Sequence, residues 1–120
     1  MNIAFLSSLT PTDIHNWSGT LYYMYHHLEQ SHRLTWIGGQ QYEEAIKFHQ
    51  ENFGEDTPFS PEKYALLFGK MLTDLFHYEC YDLIICRDYF FLAYLTTDIP
   101  VIYIGDTTCR LFNRYLGITD

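Results

Sequence analysis

The sequence predicts an α/β fold, a parallel sheet with helices on both faces. Three observations carry this. Short apolar runs recur at residues 3–6, 33–37, 82–86 and 101–104. Segments with helical spacing of apolar residues separate them. Strands that alternate with helices pair in parallel through right-handed crossovers, which place helices on either side of the sheet.

Residues 3–6, Ile3-Ala4-Phe5-Leu6, are a continuous apolar run, the pattern of a strand buried on both faces. A polar loop over residues 7–17 follows. Ser18, Gly19 and Thr20 then open a helix with apolar positions at Leu21, Met24, Tyr25 and Leu28. Ser18 is the expected N-cap, since its hydroxyl can accept a free N–H of the first turn. Residues 33–37 read as a second strand closed by Gly38 and Gly39, and residues 41–53 as a helix carrying Ala45, Ile46, His49 and Phe53.

Ser60 and Pro61 are expected to start a third helix as cap and first helical residue. Its stripe, Tyr64, Leu67, Phe68, Met71, Leu72, Leu75 and Phe76, is the clearest helical period in the chain. Residues 82–86 form a third strand, 89–95 a short aromatic helix and 101–104 a fourth strand. Gly105, Asp106 and Thr107 turn into a last helix through Leu111, Phe112 and Tyr115. The expected domain is a Rossmann-like unit over residues 1–120. Four strands are recognised, and the sheet is expected to be truncated.

The chain of 120 residues has a net charge of −8, seven basic residues against fifteen acidic. That balance argues against nucleic acid as a partner, because such binding needs a basic footprint. Three cysteines, Cys80, Cys86 and Cys109, show no Cys-x-x-Cys spacing. Neither a disulfide framework nor a zinc site is expected. The six histidines include no i, i+4 pair, so no metal is expected. His15 is noted because it lies in a candidate ligand loop. No apolar stretch reaches the ~20 residues of a membrane span, and no signal-peptide pattern opens the chain. The expected location is cytoplasmic. Eleven Tyr, nine Phe and two Trp are more ring surface than so small a domain readily hides. Self-association of the isolated chain is therefore expected.

In parallel α/β sheets ligands bind beyond the carboxyl ends of the strands. Loops 7–18, 38–40, 87–89 and 105–108 are the ones to search. Gly19 at a helix start permits close approach to backbone N–H groups, which suit a phosphate or carboxylate. The same residues also read as an ordinary capped helix start. Arg87, Arg110 and Arg114 put three of seven basic residues in or after the last two of these loops. They suit a phosphate or sugar acid, or pair with nearby surface acids. Asp106 reads equally as a helix cap.

Four segments resemble the N-terminal domain of GT-B glycosyltransferases of family 4: Ile3-Ala4-Phe5-Leu6-Ser7-Ser8, Trp17-Ser18-Gly19-Thr20-Leu21-Tyr22-Tyr23-Met24, Tyr81-Asp82-Leu83-Ile84-Ile85, and Pro100-Val101-Ile102-Tyr103-Ile104-Gly105-Asp106-Thr107-Thr108. The resemblance covers most of the chain in the right order. It implies a retaining sugar transferase whose N-terminal domain binds the acceptor and whose C-terminal domain, absent from this chain, binds the nucleotide-sugar donor. It implies that Ser18, Gly19 and Thr20 lie near substrate phosphates, and that Asp106 is a polar cleft residue and the candidate for a catalytic role; Arg87 and Thr107, in the strand-end loops, are expected near the phosphates with them. Gly105 stands where many members carry His, so no catalytic base is assigned. The resemblance implies no cofactor and no activity for this chain alone. The alternative is a non-catalytic α/β module that dimerises or docks to a partner chain.

Overall fold

The computed structural model describes residues 1–15 and 19–105. Among them four strands form one parallel sheet: β1 (Asn2–Leu6), β2 (Arg33–Ile37), β3 (Leu83–Cys86) and β4 (Val101–Tyr103), in the order β2-β1-β3-β4. The helices are α1 (Thr20–Glu29), α2 (Gly39–Phe53), α3 (Ala65–Tyr78) and α4 (Tyr89–Leu92). The expected α/β fold with a parallel sheet and helices on both faces is what the chain adopts. The expected last helix, with Arg110 and Arg114, lies outside the described residues.

Alternation along β1 explains why its sequence reads as one apolar run. Ile3 and Phe5 pack on one face with Leu21 of α1 and Ile85, while Ala4 and Leu6 pack on the other with Phe68 and Leu72 of α3. Register keeps partners on the same side: Ala4 pairs with Ile84, Phe5 with Ile85 and Leu6 with Cys86. With both faces covered, neither set can be polar. The core opposite α1 is the larger one and also takes in Ala45 of α2 and Phe90 and Phe91 of α4.

Several helix boundaries differ from expectation. Gly19, not Ser18, is the N-cap of α1, and it has φ +83°; Ser18 lies outside the described residues. Pro61–Tyr64 form a turn of 3₁₀ helix before α3 begins at Ala65. The Ser60 hydroxyl donates to Glu62 Oε2 at 2.8 Å instead of capping the turn. Glu62 also accepts from the Tyr89 hydroxyl at 2.5 Å. Partial burial pushes the Glu62 carboxyl up, but bonds from Tyr89, from its own backbone and from Ser60 outweigh this and hold it below its usual range.

His49 occupies a helix position expected to be core, and it is buried. Its Nε2 lies 3.0 Å from the Thr57 carbonyl oxygen and its Nδ1 lies 2.6 Å from the Tyr64 hydroxyl. A carbonyl only accepts, so Nε2 carries the proton and Nδ1 accepts from Tyr64. A buried polar ring is thus fully partnered and fastens the 54–60 loop to α2. Among the described residues no helix is long and apolar enough to cross a membrane.

Candidate functional site

The strand order locates a crevice. From β1 the chain crosses to β2 on one side, and from β3 it continues to β4 on the other. The connections diverge between β1 and β3, and in open α/β sheets ligands bind at such a point, beyond the carboxyl ends of the strands. The loop after β1 and the loop after β3 are therefore the walls of the candidate site.

Hydrogen bonding continues past the strand ends and fixes these walls. Ser7 N donates to Ile37 O at 2.9 Å, Arg87 N to Leu6 O at 3.1 Å, and Ile104 N to Cys86 O at 2.8 Å. The Ser7 side chain is fully buried and bonds back to its own loop: its hydroxyl donates to Leu9 O at 2.9 Å. The Ser7 carbonyl accepts from Trp36 Nε1 at 2.9 Å. A Cβ on Gly38, whose φ is +119°, would lie 2.7 Å from that same carbonyl oxygen. Gly38 is thus the residue that lets the start of α2 come against the β1 loop.

Asp88 is the charged group at the centre of this arrangement, and it is only 5% exposed. Its Oδ2 accepts from Ser8 N at 2.7 Å, and its Oδ1 accepts from Arg87 Nη1 at 2.8 Å. Its backbone carbonyl accepts from Phe91 N at 3.1 Å and from the Cys86 thiol at 3.2 Å. Burial pushes the Cys86 thiol up to about 12, so it is a packed thiol and not a nucleophile at neutral pH.

Of the residues singled out from sequence, Gly19 caps α1 and Thr20 is its first residue, Gly19 buried and Thr20 exposed. The Gly19 backbone is in the left-handed region, and a Cβ there would lie 3.2 Å from the Ile14 carbonyl oxygen. Arg87 stands on the opposite wall with its side chain one quarter exposed. Ser18, Asp106 and Thr107 lie outside the described residues. His15 is exposed in the β1 loop, where its N–H donates to Asp13 Oδ1 at 2.9 Å. The tyrosines of α1 divide: Tyr25 packs edge-on against Phe5 at 5.4 Å, whereas Tyr23 is exposed. Sequence reasoning names Arg87 for the site and passes over Asp88. The available signal is an acid directly after an apolar strand and directly before an aromatic helix.

Among the described residues no three His, Cys, Asp or Glu side chains gather closely enough to hold a metal ion. The loops after β1 and β3 carry the hydroxyl of Ser8 and the guanidinium of Arg87, groups of the kind that hydrogen-bond or ion-pair with a polar ligand. No family model, curated protein or solved structure matches the chain significantly.

Proposed function

We propose that the chain is the acceptor-side domain of a retaining GT-B glycosyltransferase of family 4, with its crevice between β1 and β3 facing the phosphates and acceptor of the transfer. The observation that carries the reading is that a left-handed glycine, Gly19, caps α1 after the β1 loop, while Arg87 directly follows β3, the strand paired with β1. Free N–H groups at a helix start favour an anion, and a planar guanidinium binds phosphate oxygens in pairs. Loss of a nucleoside diphosphate leaving group needs such donors in a water-poor cleft. The reading assigns donor binding and turnover to a second domain and none to this chain alone.

Titration of the ¹⁵N-labelled chain with inorganic pyrophosphate tests the reading. Amide shifts should concentrate at Gly19, Thr20, Ser8 and Arg87, and the Arg87→Gln variant should bind about tenfold more weakly. Shifts scattered over the surface, or binding indifferent to Arg87, would sink it. Purified chain alone should turn over no nucleotide-sugar above a heat-killed control.

A second reading, an interaction module, is favoured by β4. Val101, Ile102 and Tyr103 are 39%, 49% and 42% exposed. An apolar strand open on both faces at a sheet edge is a template for a second chain. On this reading the chain self-associates, and light scattering at micromolar concentration should give a mass above 14.3 kDa.

A further inference from the structure

The two walls of the crevice are joined by one side chain. The Asp88 carboxylate bonds the backbone N–H of Ser8 on the β1 loop with one oxygen and the guanidinium of Arg87 on the β3 loop with the other. These two walls come from segments 80 residues apart in sequence. Both bonds are charge-assisted, and their lengths of 2.7 and 2.8 Å fall in the strong range for that class. Asp88 is almost completely buried, whereas Arg87 keeps part of its side chain at the surface. The acid is therefore enclosed, while the guanidinium side chain stays partly exposed.

Removing Arg87 is costly, because the buried Asp88 charge then loses its counter-ion. Asp88 is also fixed from its own backbone side. Its carbonyl is held by the Phe91 N–H and the Cys86 thiol, so the carboxylate has a rigid base. We propose that Asp88 is the positioning residue of the crevice. One carboxylate sets the Ser8 amide and the Arg87 guanidinium together, and the two walls meet a ligand as one unit. The proposal takes its ligand from the anion-binding reading above, while the linkage itself stands apart from that reading.

The test uses the full ¹⁵N-labelled chain and its Asp88→Asn variant, which keeps the volume but turns one acceptor into a donor facing a donor. Two signals are read without ligand: the Ser8 backbone amide and the Arg87 side-chain N–H groups. In the variant the Ser8 amide should move upfield, and exchange of the Arg87 protons should accelerate about tenfold, as a lost charge-assisted bond predicts. The dissociation constant for inorganic pyrophosphate should rise about fivefold. Unchanged Ser8 and Arg87 signals in a folded variant would overturn the proposal. If both signals change but the parent chain does not bind pyrophosphate, the linkage stands and the anion-binding reading fails. If Asp88→Asn does not fold, Arg87→Lys decides. Replacing the fork by a point charge should shift the Ser8 amide on the far wall through the shared carboxylate. A Ser8 amide indifferent to Arg87→Lys would overturn the coupling.

Discussion

β1 and β4 belong to the same sheet and are written in the same apolar alphabet, yet they live in different solvents. Ile3, Ala4, Phe5 and Leu6 are each at most 1% exposed. Every residue of β4 is two-fifths to one-half exposed. The register puts Val101 and Tyr103 on the α3 face and Ile102 on the α1 face, so both faces are open at that edge. The difference lies in coverage. Helices α1 and α3 sit over the centre of the sheet, and no described helix reaches over β4 to the same extent. Composition announces a parallel strand; only position decides what that strand contributes to stability.

The comparison is tested most severely at its centre. Phe5→Ala should cost about 3–5 kcal/mol, because a large ring packed against Tyr25 leaves a cavity that the sheet cannot collapse. Urea unfolding followed by far-ultraviolet circular dichroism measures it. A cost below about 1 kcal/mol would mean that β1 is not the centre of the core.

Next in size is a contact that no strand makes. A Cβ on Gly69 of α3 would lie 2.6 Å from the Tyr94 side chain and 2.8 Å from its backbone carbonyl. Gly69→Ala should therefore destabilise by about 1–3 kcal/mol, despite the better helix propensity of alanine. A gain in melting temperature would show that α3 and the segment after α4 are free to separate.

Alkaline pH probes β3, the strand between the two extremes. Cys86 is fully buried, and its thiol is held up to about 12 against an ordinary value of 9.0. The neutral thiol is favoured in the folded chain, so its stabilisation is complete below about pH 9. Above that the unfolded chain loses the proton first, and stability falls by about 1.4 kcal/mol per pH unit until the folded thiol also ionises near 12. Tyr25, Tyr42 and Tyr81, each raised chiefly by burial, add loss of the same sign at higher pH. Cys86→Ala should flatten the first part of this decline in denaturant midpoints taken from about pH 8 to 11.

The smallest effect should be at the edge. Ile102→Ser is expected to stay within about 0.5 kcal/mol of the parent, as for other exposed positions. A loss as large as that of a buried isoleucine would mean that β4 is covered in solution. Ile102→Lys adds a sharper reading, since a charge on an open edge opposes strand pairing. Any oligomer built on β4 should revert to monomer in light scattering.

The elements themselves are largely legible from the residues. The strands at 3–6 and 33–37 and the stripe from Tyr64 to Phe76 come from periodicity alone, and periodicity reflects which faces are covered. Boundaries are less so. Gly39 opens α2 two residues before the expected start, since Gln41 Oε1 reaches back to the Gly38 N–H at 3.1 Å. The aromatic helix expected over 89–95 closes at Leu92, four residues long. The crevice is half legible: the strand-end rule selects its loops, and Gly19 and Arg87 fall on them. Asp88 is not, because its role depends on a partner 80 residues away. What Gly69 and Gly38 make room for is hidden for the same reason, since it comes from elsewhere in the chain.

The indole of Trp36 has a consequence of its own. It is 39% exposed, and its N–H is anchored on the Ser7 carbonyl at the lip of the crevice. Indole emission responds to both the polarity around the ring and the loss of that N–H bond. The chain has one other tryptophan, Trp17. A Trp17→Phe variant would leave a single indole wired to the β1 loop, and the colour of its light, excited selectively beyond the tyrosine band, would report in real time and without a label whether that loop is seated.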